Sequence, residues 1–315
     1  MTDLIVRKMR FAFADHHVPF VWNEENPAFS SMANAVSFLA IAFEKMIGHM
    51  ITEAMPLITD PAIAEEAQAF VRQEGQHSMA HRQHAKGLIK SYPALQDTLD
   101  EVITMFDDLT ANTPLKYRLA YTADLEATFT PAFKLMLDHD NTLFAPGDDR
   151  VASLFLWHFV EEVEHRSSAL TIYNSVVDDP WYRMRVAPSI FKHVWTVLRV
   201  ACVGFNKHVP VQERKIDALS MFAVLSRKRA LLRRLPFSKT SYDGPVENAF
   251  RHLPVREQLV AFSGIVRSQV PGHNPAHEEL PALAEEWFRR YDAGYEVTQW
   301  YTAADTQNSE DKQKA

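Results

Sequence analysis

The sequence has only one cysteine, Cys202, among its 315 residues. A single thiol excludes an internal disulfide and any metal site built from several cysteines. Glycine is also scarce, with nine residues in all, which suits long helices better than a turn-rich β fold. Positive charge is not in excess, since the formal net charge is −7. We therefore expect no nucleic-acid partner.

Long uninterrupted apolar runs are missing as well. The first 17 residues have no continuous apolar stretch and no small-residue cleavage site, so they do not resemble a signal peptide. The most apolar segment, residues 186–209, contains Lys192, His193 and Arg199 well inside it. We predict a buried or partly buried helix there rather than a membrane contact. The remaining composition is typical of a globular protein, and we expect a cytoplasmic one.

Aspartate, threonine and proline mark the expected helix boundaries, as at Asp60-Pro61 and Thr113-Pro114, where a capping residue precedes proline. Four long helices and a shorter amphipathic one between the second and third are predicted at about 31–55, 61–91, 95–109, 114–138 and 148–177. Further helices are predicted at 186–209, 216–235 and 282–295, and an irregular stretch at 236–280.

These helices suggest a division of the chain. Residues 1–30 form an extended arm, 31–178 a four-helix bundle, 179–304 a helical extension packed on the bundle, and 305–315 a disordered tail. The predicted fold is therefore all-α, a bundle with additional C-terminal helices.

Each long helix has an apolar stripe that a carboxylate interrupts near its middle. In the second and fourth helices a histidine follows that carboxylate three residues later, on the same side of the helix. The interrupting residues are Glu44, Glu74 with His77, Glu126, and Glu162 with His165.

Buried carboxylates are costly unless they are paired or bound to a metal. Four that converge would repel one another strongly, and two divalent ions would balance their charge while neutral imidazoles add ligands. One Glu from each of two helices, with Glu-x-x-His from the other two, is also the ligand pattern of ferritin-like di-iron carboxylate proteins. Carboxylate and imidazole ligands favour two iron ions, with manganese or zinc less suited.

Neighbouring residues compete for these roles. Glu53 is a rival to Glu44, and Asp124 is a rival to Glu126. Glu161 is a rival to Glu162, but the spacing to His165 favours Glu162 and leaves Glu161 to orient a ligand from outside.

Three further histidines lie on the same helices. His158 lies one turn before Glu162, and whether it is a third histidine ligand or a hydrogen-bonded core residue is left open. His81 lies one turn after His77 and is expected to orient a ligand, whereas His84 is expected to be partly exposed.

Three segments carry a resemblance to known proteins: WNEENPAFSSMANAVSFLAIAFEKMI (22–47), QEGQHSMAHRQH (73–84) and EEVEHRS (161–167). They resemble a bacterial family of predicted metal-dependent hydrolases, over roughly residues 5–290, and the resemblance implies a ferritin-like fold. HFVEEVEH (158–165) is also similar to the extra-histidine motif of di-iron arylamine N-oxygenases. That similarity implies His158 as a seventh protein ligand.

Three functions are consistent with such a site. The first is a di-iron oxidoreductase that activates O2 to oxidise a small organic substrate, with an external reductant. The second is a two-metal hydrolase, in which the ions activate water. The third is a non-catalytic metal-binding protein of the ferritin type. The substrate is expected to be a small molecule, and a homodimer is compatible with each of the three.

Overall fold

The computed structural model describes residues 4–14, 16–222 and 243–303, and within these ranges the regular structure is entirely helical. This confirms the predicted all-α class. The α-helices are α1 Pro27–Ala54, α2 Pro61–Ser91, α3 Leu95–Asn112, α4 Leu115–Leu137, α5 Asp140–Leu143, α6 Asp149–Glu164, α7 Ser168–Val176, α8 Tyr182–His208, α9 Val211–Arg214, α10 Val255–Ser268 and α11 Ala282–Asp292. Short 3-10 turns lie at Met55–Leu57, Ala218–Phe222 and Pro275–His277.

Helices at four positions pack around a common core. α1 packs on α2, α4 packs on both α6 and α7, α2 contacts α6 and α7, and α1 contacts α4. These contacts close a ring of four helical positions, the fourth shared by α6 and α7. α3 and α8 pack together outside α1, α10 lies on α4, and α11 lies on α6.

The first helix begins earlier than the sequence pattern predicted. α1 starts at Pro27 rather than at residue 31, because the Asn26 side chain accepts a 3.1 Å hydrogen bond from the backbone N–H of Phe29. Proline at the first helical position needs no backbone donor. Residues 27–30, which the sequence pattern placed before the helix, therefore belong to α1.

The predicted fourth helix is two helices, which is a correction to the sequence-based prediction. α6 ends at Glu164 and α7 begins at Ser168. The Arg166 side chain donates to the carbonyl oxygens of Val163 (2.7 Å) and Pro275 (2.9 Å). The carbonyl oxygen of Val163 is therefore not free for the backbone hydrogen bond that a continuous helix would make there. The break leaves His165 at the end of α6.

Residues 236–280, predicted to be irregular, contain the helix α10. This prediction was wrong because packing against the rest of the fold outweighs the helix-breaking effect of the prolines that flank the segment. A Cβ on Gly264 would lie 2.8 Å from Cβ of Pro131, so α10 approaches α4 closely at this glycine. Most of the helix predicted at 216–235, and the tail predicted to be disordered at 305–315, lie outside the described residues.

Within the part of the chain that the structure describes, two helical segments are long and apolar enough to cross a membrane by length and composition, Pro27–Leu57 and Tyr182–His208. The most apolar stretch of the first is 72% buried inside the protein, as expected for a core helix. The corresponding stretch of α8 is 28% buried, which agrees with the predicted partly buried helix. Length and apolarity alone are weak evidence for a membrane span. A cytoplasmic location stays a prediction.

Candidate metal centre

The predicted ligands meet at mid-height of the helix ring, and each is at most 5% exposed. α1, α2, α4 and α6 each contribute a glutamate from the stripe that faces the other helices. The convergent residues are Glu44 on α1, Glu74 and His77 on α2, Glu126 on α4, His158 and Glu162 on α6, and His165 at the end of α6.

These side chains form overlapping groups whose ligand atoms lie within 4.8 Å of one another. One group is Glu74, Glu126, Glu162 and His165; the three others are His77, His158 and Glu162, then Glu44, Glu74 and His77, and then Glu44, His81 and His158. The residues shared between the first group and the others are Glu74 and Glu162. The arrangement could hold two ions side by side, with two central carboxylates common to both.

The central carboxylates each lie near both histidines. Oxygens of Glu74 lie 3.2 Å from Nε2 of His165 and 3.7 Å from Nδ1 of His77. Those of Glu162 lie 3.1 Å and 3.6 Å from the same two nitrogens. These distances place both glutamates between the two histidines.

The rival carboxylates have other partners. Glu53 is exposed and pairs with Arg118 at 2.7 Å. Asp124 is buried but lies 2.6 Å from Nε of Arg183. Neither belongs to the groups whose ligand atoms converge. The geometry therefore favours Glu44 and Glu126 over them.

Several ligand atoms in this cluster are buried and have no hydrogen-bond partner among the described residues. They are both carboxylate oxygens of Glu74, both of Glu126, Oε2 of Glu44 and Nδ1 of His77. Buried polar atoms are normally hydrogen-bonded, and leaving several unsatisfied in one place costs several kcal/mol by rough estimate. A bound cation would satisfy them all, so the residues present fit a metal centre.

The electrostatics of the cluster indicate the same need for positive charge. Burial, and then the negative charge of Glu74, raise the pKa of Glu44 well above its ordinary value. Burial and the charge of Glu162 raise the pKa of Glu126 in the same way. Burial alone would lower the pKa of His77, but its hydrogen bond to the carboxylate of Glu161 and the negative charge of Glu74 raise it to about 10. Without cations, the cluster therefore attracts protons.

Two outer residues hold the histidine rings in place. Nε2 of His77 donates to Oε2 of Glu161 at 2.9 Å, which leaves Nδ1 facing the central carboxylates. Nδ1 of His165 lies 3.1 Å from Oε1 of Gln73, which leaves Nε2 facing Glu162. Such outer hydrogen bonds fix the tautomer and orientation of a metal-ligating histidine. The position of Glu161 agrees with its predicted orienting role.

His158 connects the cluster to a second chain of polar groups. Its Nε2 lies 2.8 Å from Oε1 of Glu162 and 3.7 Å from Oε1 of Glu44. Its Nδ1 lies 2.7 Å from Nε2 of His81, whose Nδ1 lies 2.8 Å from Oγ of Ser37. His158 thus has one nitrogen facing the carboxylates, as a third histidine ligand would need. Both nitrogens of His81 are engaged, which suits an orienting role.

His84 is buried, although the sequence suggested partial exposure. Its Nδ1 lies 2.9 Å from Oγ of Ser37, and its ring packs on Phe13 of the arm and on Phe155. The arm and α6 cover a face of α2 that would otherwise be open. The spacing of residues within α2 does not show which other segments pack over this face of the helix.

Arg7 and Gln73 are the residues of the site that sequence reasoning missed. Nη1 of Arg7 lies 2.9 Å from Oε1 of Glu161 and 2.9 Å from Oε2 of Glu164. Arg7 is 2% exposed and lies over the ring of Phe288 at 4.6 Å. No role for either residue followed from helical spacing, although Gln73 is the first residue of the segment QEGQHSMAHRQH. The signal for Arg7 was a surplus of glutamates beside Glu162 that needed a cation.

An apolar cavity of about 180 Å³ reaches the cluster between α1, α4 and α8. Glu44, His158 and Glu162 lie on its wall, and the rest of the wall is apolar apart from Thr128. A larger cavity of about 740 Å³ lies between α4 and α10, and none of the predicted ligands lines it. The smaller cavity therefore opens on the candidate metal centre.

Comparison with known proteins gives one match. The sequence model of a family described as "predicted metal-dependent hydrolase" matches residues 5–245 of the chain. The match covers the arm, every candidate ligand and α8. No curated protein and no solved structure matches the chain.

Proposed function

We propose, on the premise that this chain belongs to the predicted metal-dependent hydrolase family, that it hydrolyses a small-molecule substrate with two divalent metal ions. The observation that carries the proposal is the set of buried glutamate oxygens that lack a hydrogen-bond partner at the centre of the fold. Bound cations would neutralise these oxygens and act as their missing partners, which removes the cost of burying them unpaired.

The charges of the proposed ligands support two ions rather than one. Four carboxylates, Glu44, Glu74, Glu126 and Glu162, lie in groups with histidine side chains, which can bind a metal in their neutral form. Two divalent cations would make this set neutral, whereas one would leave two negative charges in a dry interior. Glu74, Glu126, Glu162 and His165 would hold one ion, and the groups formed by Glu44, Glu74 and His77 and by His77, His158 and Glu162 would hold the other.

Two divalent cations, when bound, would act as Lewis acids on the substrate and lower the pKa of water to near neutrality. The chain itself supplies the framework for that chemistry. Glu161 and Gln73 orient the two histidines, and buried aromatic side chains around them keep bulk water out. A dry site strengthens the interactions of charged groups within it.

The nature of the metal stays a prediction. Carboxylate-rich ligand sets with imidazoles suit iron or manganese, and zinc usually takes fewer ligands in a tetrahedral arrangement. We propose iron, with manganese as the competing metal, and elemental analysis of the purified protein decides between them.

Oxygen activation by a di-iron centre is the second candidate. The family description gives it no support and agrees better with the hydrolase alternative. One observation favours it, namely that Nε2 of His158 faces Glu44 and Glu162 as an additional ligand would. O2 and an external reductant would then be the co-substrates.

The test begins with metal content. Purified protein is stripped with chelator, reloaded anaerobically with ferrous, manganous or zinc ions, and assayed on carboxylic esters, amides and phosphate esters. We expect two ions per chain and hydrolysis that disappears with chelator and returns with metal. Glu162→Ala should abolish both, and Glu53→Ala, which changes a carboxylate outside the cluster, should change neither.

Two results would contradict the hydrolase proposal. A transient visible absorption when O2 is admitted to the ferrous protein, without hydrolysis of any substrate in the panel, would support the oxygen-activating candidate. Stable binding of two ions with neither reaction would support the non-catalytic metal-binding function. The ferritin-like relationship, the homodimer and the domain boundaries at residues 30, 178 and 304 stay predictions.

A further inference from the structure

We propose that the apolar cavity beside the candidate metal centre binds a small, uncharged, apolar part of the substrate, about the size of a benzene ring. The inference rests on the proposed function, because the cavity can serve as a substrate subsite only if the reaction takes place beside Glu44, His158 and Glu162. It adds the class of substrate, which the ligand set alone does not define.

The cavity runs from a half-buried side to the buried ligands. On one side its wall consists of Phe191 and Val194 of α8, together with Phe129 of α4, all partly exposed. On the other side lie Glu44 and His158, which are at most 5% exposed. A molecule entering past α8 would therefore meet apolar side chains first and the candidate metal ligands last.

The wall offers no partner to a charged group. Among the described lining residues there is no lysine or arginine, and the polar ones are Thr128 and the three candidate ligands. The hydroxyl of Thr128 already donates to the carbonyl oxygen of Leu125 at 2.7 Å. An ionised group placed there would lose its hydration without compensation, at a cost of several kcal/mol by rough estimate.

The net charge of the metal-loaded centre also favours an uncharged substrate. Four glutamates and two divalent cations would sum to zero, so the site as a whole would not attract an anion. The remaining buried acid next to it, Glu161, pairs with Arg7 at 2.9 Å. Arg7 is thus already paired with this acid. This balance favours a neutral carboxylic ester or amide over a phosphate ester.

The volume sets the size of the group. The cavity measures about 180 Å³, and apolar protein cavities of about 150 Å³ stay dry and bind benzene. Phe43, Phe129 and Phe133 line it, so an aromatic ring could stack against ring faces and edges. A single benzenoid ring or a short branched alkyl group fits, and a long acyl chain does not.

The reaction that follows is the hydrolysis of an ester or amide whose acyl group is small and apolar. Water adds to the carbonyl carbon, a new C–O bond forms, and the bond from that carbon to the ester oxygen or amide nitrogen breaks. One proton of the water passes to the leaving oxygen or nitrogen, and the carboxylic acid releases the other. No oxidant or further reactant is needed.

The first experiment measures binding without any reaction. Benzene is added to the metal-loaded protein and the change in melting temperature is recorded for the parent and for three variants. Ala40→Phe and Val194→Trp fill the cavity from α1 and from α8. Val186→Trp makes the same change on α8 at another half-buried valine that does not line the cavity.

We expect benzene to raise the melting temperature of the parent and of Val186→Trp by about 2 °C or more. The two filled variants should show no such rise. Val194 is half-buried, so Val194→Trp keeps the test valid if Ala40→Phe fails to fold. An equal rise in the folded filled variant and the parent, or no rise in the parent, would overturn the inference.

The second experiment measures substrate preference. We expect kcat/KM for 4-nitrophenyl benzoate to exceed that for 4-nitrophenyl 4-carboxybenzoate by about 100-fold. Val194→Trp should lower the first value about tenfold and Val186→Trp should not. A preference for 4-nitrophenyl phosphate would overturn the substrate class. Benzene binding lost in the filled variants, without hydrolysis of any ester, would confirm the cavity and contradict the proposed function.

Discussion

Nε2 of His77 lies 2.9 Å from Oε2 of Glu161, and Oε1 of the same carboxylate accepts a 2.9 Å hydrogen bond from Arg7. Glu161 therefore has one oxygen for the histidine and one for the arginine. The side chain links the N-terminal arm to a predicted metal ligand through two charge-assisted contacts. All three residues are at most 2% exposed.

Glu161→Gln should weaken metal binding without removing a ligand. The amide would keep the shape of the side chain but lose the charge that favours a proton on Nε2 of His77. We expect the affinity for the ion bound by His77 to fall by about 10- to 100-fold. Competition with a chelator of known affinity measures it. Glu53→Gln changes an acid outside the cluster, and an equal loss there would contradict an effect through His77.

Arg7→Leu should destabilise the whole fold. Removing one partner of a buried ion pair leaves an uncompensated charge, at a cost of about 3–5 kcal/mol. Here Glu161 would lose its cation, and Glu164 would lose two hydrogen bonds. Urea denaturation measures the free energy of unfolding.

Arg185→Leu is the matched control for the arginine. It removes an exposed pair with Asp179, and such surface pairs are worth about 1 kcal/mol at most. Similar losses in Arg7→Leu and Arg185→Leu would show that the buried network around Glu161 contributes nothing beyond an ordinary surface contact.

Much of the centre could be predicted because its ligands repeat along helices. Glu74 and His77 lie three residues apart on α2, so local periodicity alone places them on the same side. The same holds for Glu162 and His165, even though the helix ends at Glu164. A buried carboxylate on an apolar stripe is a strong signal because its burial is costly.

The rest depended on contacts between distant segments. Arg7 reaches Glu161 across 154 residues of sequence, and no local pattern links the two. The end of α6 depends on the contact of Arg166 with the carbonyl oxygen of Pro275, 109 residues away. Phe13 packs on His84 from the arm. Helical periodicity describes one element at a time and cannot show which other element covers it.

Single substitutions should remove different numbers of ions. Glu126 belongs to one group of converging ligands, whereas Glu162 belongs to two. We expect Glu126→Ala to bind about one ion per chain and Glu162→Ala to bind none tightly, since a carboxylate that belongs to two ligand groups would serve both ions. Elemental analysis after dialysis counts the ions, with Glu53→Ala as the control. Two ions retained by Glu162→Ala would contradict the shared role.

Acid should destabilise the metal-free protein through His84. Burial lowers the pKa of His84 to about 3, whereas an unfolded chain has a histidine pKa of about 6.5. Between these values the unfolded state binds a proton that the folded state does not. Stability therefore falls as pH drops below 6.5, by about 1.4 kcal/mol per pH unit from this residue, and does not depend on it above that pH.

His84→Asn should remove this part of the pH dependence, because asparagine does not titrate and can still hydrogen-bond to Ser37. We expect its unfolding free energy to fall less steeply than that of the parent from pH 6.5 to pH 4, and to run parallel to the parent above pH 7. Chemical denaturation of the metal-free protein at each pH measures the slopes. His16→Asn changes an exposed histidine of the arm and should follow the parent. Equal slopes for His84→Asn and the parent would show that His84 takes up its proton in the folded protein, despite its burial against Phe13 and Phe155.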